Sequence, residues 1–170
     1  MRSIRILAVG AAVAAAGVAA FSTSPASAAN ISGSHLADTL YGTPYNDTIH
    51  GFEGSDTLYG YAGRDTVYGG PGYDYLAGAD GTDELRGGAH GDYITGGGHG
   101  DKLFGNAGHD TLVPGFGTDE VRAGYGDDYV YVYADGSADH IQCGPGYDTV
   151  YYDTTDAGDE FYGCDYFYAI

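Results

Sequence analysis

An unbroken series of aspartates, spaced nine residues apart, constrains the fold of this chain more than any other feature. Its eleven members are Asp38, Asp47, Asp56, Asp65, Asp74, Asp83, Asp92, Asp101, Asp110, Asp119 and Asp128. An aliphatic residue follows each of them by two positions, from Leu40 to Val130. A glycine precedes the first nine by five positions, from Gly33 to Gly105. Such a fixed period is typical of repeat architectures, in which one short unit is stacked many times.

Each unit predicts a turn followed by a strand. We number its nine residues from the glycine, so that the aspartate is position six and the aliphatic residue position eight. The glycine-rich first six positions favour tight turns with positive φ and predict neither helix nor strand. The last three, of the type Thr-Leu-Tyr, predict a very short strand with one inward aliphatic side chain. One unit cannot bury that side chain alone, so we expect stacked coils of two units, or 18 residues.

Stacking of such coils places the aspartates in two columns, one along each edge. Residues 18 apart then lie at the strand spacing of about 4.8 Å. One column runs from Asp38 to Asp128 in steps of 18, and the other from Asp47 to Asp119. Carboxylates this close raise each other's pKa and oppose stacking, which a hard divalent cation between them would prevent. Calcium fits better than magnesium because it accepts about six to eight oxygens, including the carbonyls that glycine turns expose.

The units also resemble a known family. GGPGYDYLA at 69–77 matches every fixed position of the pattern G-G-x-G-x-D-x-U-x, a calcium-binding nonapeptide repeat. GNAGHDTLV at 105–113 and GYAGRDTVY at 60–68 lack only the second glycine. Over residues 33–131, with a further unit at 143–151, the chain resembles the RTX, or hemolysin-type, calcium-binding repeat family of secreted bacterial proteins. This resemblance implies an all-β fold, a parallel β-roll (β-solenoid) that holds several Ca²⁺ ions.

The resemblance further implies that calcium lies between stacked turns, held by position-six aspartates and by turn carbonyls. Carried onto this sequence, the side-chain ligands are Asp47, Asp56, Asp65, Asp74, Asp83, Asp92, Asp101, Asp110, Asp119 and Asp128. The carbonyl ligands are expected at Gly69, Gly70, Gly72, Gly105 and Gly108. Some units depart from the pattern at position four, where Leu36, Tyr45, His90 and His99 replace glycine. We interpret the first unit as an N-terminal cap.

Residues 1–28 predict a secretory signal peptide. Arg2 and Arg5 form a basic start, residues 6–21 are an apolar, alanine-rich run, and residues 26–28 read Ala-Ser-Ala, a cleavage pattern. A membrane anchor is the alternative, but the run is short beside the about 20 apolar residues that a bilayer requires. We therefore expect a secreted, extracellular chain that begins at Ala29. No later segment is long and apolar enough to span a membrane.

The chain is strongly acidic, with 24 Asp and Glu, 6 Lys and Arg, and a formal net charge of −18. Without residues 1–28, 4 basic residues remain and the charge is −20. This charge argues against nucleic acid as a partner, because nucleic acid binding needs Lys and Arg. It favours either disorder or a stoichiometric cation, and the many tyrosines and regular aliphatic residues weigh against permanent disorder.

The C-terminal part differs from the regular repeat. The period slips by two residues between Asp128 and Asp139 and resumes at Asp148. The two cysteines, Cys143 and Cys164, predict a disulfide in an exported protein, with zinc as the alternative. We therefore divide the chain into a signal peptide (1–28), a calcium-binding β-roll (29–132), and a repeat remnant with a capping segment (133–170) that the disulfide pins.

Catalytic signatures are absent from the sequence. It contains no H-E-x-x-H, G-x-S-x-G or P-loop motif, so we expect that the protein is not an enzyme. The six histidines raise catalysis or zinc as alternatives. However, His90 and His99 are nine residues apart and fall on opposite edges of the roll, which favours solvated turn histidines.

The outward strand positions predict two different faces. One carries threonines and tyrosines without charge, among them Tyr41, Tyr59, Tyr75, Tyr93, Tyr129 and Tyr131. The other should stack Glu84, Lys102 and Glu120 with alternating sign. The tyrosines and threonines either merely suit exposed strands or form a binding face. Such a face would stack flat rings on an extracellular glycan or cell wall, or on a second copy of the chain.

Overall fold

Each repeat unit of this protein forms one strand, and the glycine-rich turns connect strands that belong to two different sheets. A computed structural model describes residues 27–156 and 158–170. The predicted signal peptide therefore lies outside the described residues, apart from Ser27 and Ala28. The described part contains no helix, and hence no helix that is long and apolar enough to cross a membrane.

Sixteen strands make up the described structure. They are β1 (Asn30–Ser32), β2 (Thr39–Tyr41), β3 (Thr48–His50), β4 (Thr57–Ala62), β5 (Thr66–Pro71), β6 (Tyr75–Asp80), β7 (Glu84–Ala89), β8 (Tyr93–Gly98), β9 (Lys102–Ala107), β10 (Thr111–Phe116), β11 (Glu120–Tyr125), β12 (Tyr129–Val132), β13 (His140–Gln142), β14 (Thr149–Tyr152), β15 (Glu160–Tyr162) and β16 (Tyr166–Ala169). The odd-numbered strands form one parallel sheet, here the odd sheet, and the even-numbered strands form the other, the even sheet. The predicted parallel β-roll is therefore confirmed.

The register confirms coils of 18 residues. In the even sheet Thr57 lies opposite Tyr75 and Leu58 opposite Leu76, and the same offset holds from β1 to β12. Beyond β12 the spacing changes: Glu120 pairs with His140, 20 residues on, and Thr149 pairs with Tyr166, 17 residues on. The two-residue slip in the sequence thus lengthens the coil without breaking either sheet.

Strand length differs from the expectation. The predicted three-residue strands occur at β2 and β3, but β4 to β11 each have six residues. Each of these strands continues through the first three positions of the next unit, as in Gly60, Tyr61 and Ala62 of β4. The prediction that positions one to six contain no strand was wrong. The small or flexible residues there still pair with the adjacent coil, as Tyr61 does with Ala79.

The core is a double row of position-eight side chains. Every aliphatic residue from Leu40 to Val130 in the series is fully buried, and Ile141 and Val150 continue the rows. Because only one side chain per nine residues enters this core, it is narrow. At the C-terminal end Tyr152, Phe161 and Phe167 pack edge to face over it, with ring centroids 5.5–6.2 Å apart.

Segment 133–170, which the sequence assigns to a repeat remnant and cap, carries strands β13 to β16 of the two sheets. The predicted disulfide joins Cys143, just after β13, to Cys164, between β15 and β16. It therefore connects the last two coils.

Candidate metal centre

The two aspartate columns hold successive coils together. All eleven aspartates of the series are buried, each with 4% or less of its surface exposed. In each column the Oδ1 atom accepts a hydrogen bond from the backbone N–H of the aspartate one coil earlier. Asp74 Oδ1, for example, lies 2.8 Å from the nitrogen of Asp56, and Asp92 Oδ1 lies 2.9 Å from that of Asp74. One of the two carboxylate oxygens, Oδ1, therefore closes the turn of the preceding coil.

The second oxygen of these carboxylates has no hydrogen-bond partner among the described residues. This holds for Oδ2 of Asp56, Asp65, Asp74, Asp83, Asp92, Asp101, Asp110, Asp119, Asp128 and Asp148. A buried acceptor without a partner costs about 1–3 kcal/mol, and more when it is charged. A regular row of such atoms requires either protons or cations.

From Asp56 to Asp110, each unpaired oxygen lies beside the Cα of its unit's position-one glycine. A Cβ atom built on Gly69 would lie 2.5 Å from Asp74 Oδ2 and 2.6 Å from the carbonyl oxygen of Gly87 in the next coil. The same crowding, within 3.0 Å of the unit's own carboxylate, occurs at all nine position-one glycines from Gly33 to Gly105. Glycine keeps the space beside the carboxylate free in these units, because any side chain there would occupy it.

Backbone carbonyls from two coils face the gap between stacked turns. The carbonyl oxygens of Gly69 and Gly87, at position one, lie against the preceding coil. Those of Gly70, at position two, and Gly108, at position four, lie against the following coil, beside Gly88 and Gly126. The predicted carbonyl donors therefore do face adjacent turns, and Gly72 and Gly105 occupy the equivalent positions of their units.

Left-handed backbone at positions two and four produces these carbonyl directions. The six non-glycine residues with positive φ in the described residues all stand at one of the two positions: Phe52, Tyr61, Ala79, His90, His99 and Asn106, with φ of 74–83°. This conformation costs a non-glycine residue of the order of 1 kcal/mol or more. His90 and His99 thus share the positive φ of the glycines they replace, at 78° and 74°.

The donor set consists of oxygens. Among the described residues, no three His, Cys, Asp or Glu side chains come together as a metal cluster, so a cation bound between the turns would take most of its ligands from backbone carbonyls. Carboxylate and carbonyl oxygens suit a hard cation rather than zinc or copper.

Comparison with known proteins agrees with this geometry. The model of the RTX calcium-binding nonapeptide repeat matches residues 33–67, 41–76, 59–89, 77–112 and 113–150. The chain belongs to the RTX calcium-binding repeat family. No curated protein matches the chain.

The electrostatics of the two aspartate columns disfavour ionised carboxylates that have no cation beside them. Burial raises the pKa of Asp92 and Asp101 to about 8 and that of Asp65 to about 7. The hydrogen bond from the preceding coil lowers each pKa, while the carboxylates one coil above and below raise it further. Burial therefore dominates, and the columns favour protonation or a bound cation over free charge.

The first two RTX units satisfy the Oδ2 atom of their carboxylates internally. Asp38 Oδ2 accepts hydrogen bonds from the N–H of Ser34 at 2.6 Å and from its hydroxyl at 2.8 Å. Asp47 Oδ2 accepts from the N–H of Thr43 at 2.5 Å and from its hydroxyl at 3.0 Å. Asp47, a predicted ligand, thus differs from the other nine. A hydroxyl residue at position two is the signal that could have revealed this.

The C-terminal RTX units close the space at position one. Pro114, Ala123 and Cys143 stand where the earlier units have glycine, and Ala123 and Cys143 are fully buried in the core. Oδ2 of Asp119, Asp128 and Asp148 in these units nevertheless has no hydrogen-bond partner among the described residues. Asp139 and Asp148 extend the hydrogen-bond columns through the 20-residue coils.

The remaining predicted groups lie on the outer faces. Lys102 pairs with Glu120 at 3.5 Å, as expected, whereas Glu84 pairs with Arg86 at 2.8 Å on the same strand. The six tyrosines of the predicted ligand face all lie outward on the even sheet. His90 and His99 belong to the turns after β7 and β8, which lie on opposite edges.

Proposed function

We propose that this protein is a secreted calcium-binding repeat protein whose β-roll is completed when several Ca²⁺ ions bind between stacked turns. The row of buried Oδ2 atoms without a hydrogen-bond partner is the observation that carries the proposal. Bound calcium supplies positive charge to that row, which removes both the desolvation cost and the repulsion along each column.

The aspartates from Asp56 to Asp110 are the strongest side-chain ligands. They combine an unpaired Oδ2, an open glycine space and carbonyls from two coils. Asp119 and Asp128 retain the unpaired oxygen beside Pro114 and Ala123, and we assign them weaker sites. Asp47 has the least need of a cation, since Thr43 already satisfies it.

Calcium binding and folding are coupled in this proposal. Each unit contributes only one aliphatic side chain to the core, and the net charge of −18 opposes compaction of the chain. We therefore assign the protein a structural, calcium-dependent role rather than catalysis. Without calcium the chain is largely disordered, and millimolar calcium, the range of extracellular modules, drives a cooperative gain of β structure.

Circular dichroism of residues 29–170 during a calcium titration, followed by excess chelator, tests this coupling. Asp74→Asn is the decisive variant, because its amide oxygen can still accept the Asp56 N–H while the second oxygen is lost. We expect its calcium midpoint to rise by roughly tenfold, which corresponds to about 1.4 kcal/mol. Asp80→Asn, an exposed carboxylate outside both columns, is the matched control.

An unchanged β spectrum in excess chelator would contradict the coupling. Equal shifts in the Asp74 and Asp80 variants would contradict the assignment of the columns as the site. If magnesium acted as well as calcium at equal concentration, the selectivity would be wrong.

Secretion is part of the proposal. The basic and apolar start of residues 1–28 and the Cys143–Cys164 disulfide, which needs an oxidising compartment, both support export. Expression of the full chain, with N-terminal sequencing of the product in the medium, tests it. Recovery of a chain that begins at Ala29 is expected, and retention of residues 1–28 in the cells would contradict export.

A second candidate function is an adhesin-like module, in which calcium is structural and the outer side of the even sheet binds an extracellular glycan or cell wall. The uncharged tyrosine and threonine surface favours this candidate. Replacement of Tyr59, Tyr75 and Tyr93 by Ser should abolish retention on glycan or cell wall while calcium-induced folding persists. Absence of any retention of the wild type would rule it out.

A further inference from the structure

The outer surface of the even sheet is uncharged along its full length at the two positions that flank each buried residue. These positions are Thr39, Tyr41, Thr57, Tyr59, Tyr75, Ala77, Tyr93, Thr95, Thr111, Val113, Tyr129, Tyr131, Thr149, Tyr151, Tyr166 and Tyr168. The corresponding positions of the odd sheet include Glu84, Arg86, Lys102, Glu120 and Arg122. In a chain with a net charge of −18, this difference marks the even sheet as a surface with a separate role.

The tyrosines of this surface form two stacked ladders. In the first ladder Tyr41 lies on Tyr59 with centroids 5.3 Å apart, and Tyr75 lies on Tyr93 at 5.4 Å. In the second ladder Tyr131 lies on Tyr151 at 4.7 Å. The planes within each of these pairs differ by only 3–6°, so the rings cover each other's faces. The two pairs of the first ladder meet where Tyr59 lies 5.8 Å from Tyr75 with the planes tilted by 52°. A flat ligand cannot enter between the parallel rings of a pair, whereas a ring at a ladder's end has a free face.

The two ladders end on either side of strand β10: the first ends at Tyr93 of β8, and the second begins at β12, where Tyr129 and Tyr131 both stack on Tyr151, at 6.5 and 4.7 Å. Thr111 of β10 pairs with Tyr93 of β8 on one side and with Tyr129 of β12 on the other. The neighbouring outward positions, Thr95 and Val113, are also small. The result is a slot with Tyr93 and Tyr129 as walls and Thr111 as floor, here called the β10 slot.

The width of the β10 slot fits one ring. The strands that carry its walls are two strand spacings apart, or about 9.5 Å. A ring packed between two aromatic planes needs roughly 3.5–4 Å on each side, about 7–8 Å in all. Tyr93 and Tyr129 are 42% and 45% exposed, so solvent reaches both walls.

We propose that the β10 slot binds a single pyranose ring of a neutral polysaccharide, and this rests on the second proposed function, a sugar-binding face. The apolar C–H face of a pyranose packs on an aromatic plane, and its hydroxyls can pair with the Thr111 hydroxyl and the tyrosine hydroxyls. The acidic charge of the chain disfavours an anionic polysaccharide, and the slot offers no cation to bind one. Neutral sugar is thus the ligand class that matches both shape and charge.

A substitution that fills the β10 slot tests the proposal more specifically than one that removes its wall residues, Tyr93 and Tyr129. Thr111→Tyr continues the tyrosine ladder across β10 with a residue that already occupies this position in β6, β8 and β12. Thr57→Tyr is the matched control, because it adds the same side chain to the same sheet outside the slot. The assay is affinity electrophoresis of residues 29–170 with calcium, through neutral polysaccharides (cellulose derivatives, xylan, glucomannan) and anionic polysaccharides (alginate, polygalacturonate). Circular dichroism monitors folding of every variant.

We expect the wild type and Thr57→Tyr to be retarded by at least one neutral polysaccharide, and Thr111→Tyr to lose at least tenfold in affinity with an unchanged calcium midpoint. If Thr111→Tyr binds like the wild type, the slot is wrong while the sugar-binding face stands. If no polysaccharide retards the folded wild type, both fail. Retardation only by anionic polysaccharides overturns the charge argument. Self-association that Thr111→Tyr abolishes, without retardation, assigns the slot to a second copy.

Discussion

The turns between Gly51 and Asp110 and the coils after residue 113 stack in the same two sheets but are stabilised differently. In the first region, position-one glycines leave space beside carboxylates whose second oxygen has no partner. In the second, Pro114, Ala123 and Cys143 occupy that space, and a disulfide connects the last two coils. The same backbone thus accommodates two kinds of connection: one with open space beside the carboxylates, where we propose the strongest cation sites, and one in which side chains and a covalent bond contribute.

The largest expected effect is the loss of structure on calcium removal, and it should differ between the two regions. Hydrogen exchange with excess chelator should show that amides of β4 to β10 lose their protection. Those of β13 to β16 should retain part of theirs while the disulfide is intact, because it limits the unfolded state of the loop. Equal loss of protection in both regions would contradict the comparison.

In the absence of calcium, protonation of the buried aspartates at low pH should stabilise the first region. The pKa values of Asp92 and Asp101 in the folded chain are about 8, above their ordinary range. The folded state therefore binds protons more tightly than the unfolded state does. This stabilisation is present at low pH and is lost as pH rises through the folded pKa values. We expect the calcium-free chain to have more β structure at about pH 5 than at about pH 8.5, and to regain it with calcium at the higher pH. Circular dichroism measures both, and a calcium-free chain that is more structured at the higher pH would contradict the raised pKa values.

Loss of the disulfide should weaken the second region without moving the calcium midpoint of the first. The Cys143–Cys164 link closes a loop of 21 residues, for which chain entropy gives roughly 3 kcal/mol. Urea unfolding of Cys143→Ser/Cys164→Ser in saturating calcium measures this cost, and hydrogen exchange locates it in β13 to β16. The matched control is a Ser34→Ala variant, which changes only the N-terminal cap.

Exchange of the position-one residues should give the smallest but most specific effect. Gly69→Ala places a Cβ against Asp74 Oδ2 and the Gly87 carbonyl, and we expect it to cost about 2 kcal/mol and to raise the calcium midpoint. The reverse exchange, Ala123→Gly, should cost about 1 kcal/mol through lost burial and backbone entropy, and should strengthen the weaker calcium site at Asp128 because it opens the space at position one. Calcium titrations and urea unfolding of both variants test this pair, and a tolerated Gly69→Ala would show that the glycine space is not used.

Spacing predicted the coil length, the paired sheets and the inward side chains, because a turn–strand unit of nine residues can bury its single aliphatic side chain only by stacking, two units to a coil. The disulfide was also predicted, from an even cysteine pair in an exported chain, and is confirmed. The assignment of the aspartates as calcium ligands stays a prediction. Its physical basis is now more specific, since one oxygen is used in the column and the other is free of partners.

Features that depend on three-dimensional detail were not predicted from the sequence. The six-residue strands depend on pairing of positions one to three with the adjacent coil, which glycine content does not reveal. The internal bonds of Asp38 and Asp47 depend on single hydroxyls, at Ser34 and Thr43. The tyrosine ladders depend on ring orientation, which outward placement alone leaves open.

The hydrogen bonds of the aspartate columns give the roll a direction. Each carboxylate closes the turn of the coil before it, so the acceptor without a partner at the N-terminal end is Asp38 Oδ1. Removing whole coils from that end leaves one carboxylate oxygen per column without its donor, and removing them from the other end leaves one backbone N–H per column without its acceptor. Only the second change also removes the Cys143–Cys164 link, so a designer who wishes to change the length of this protein should add or remove coils at the start.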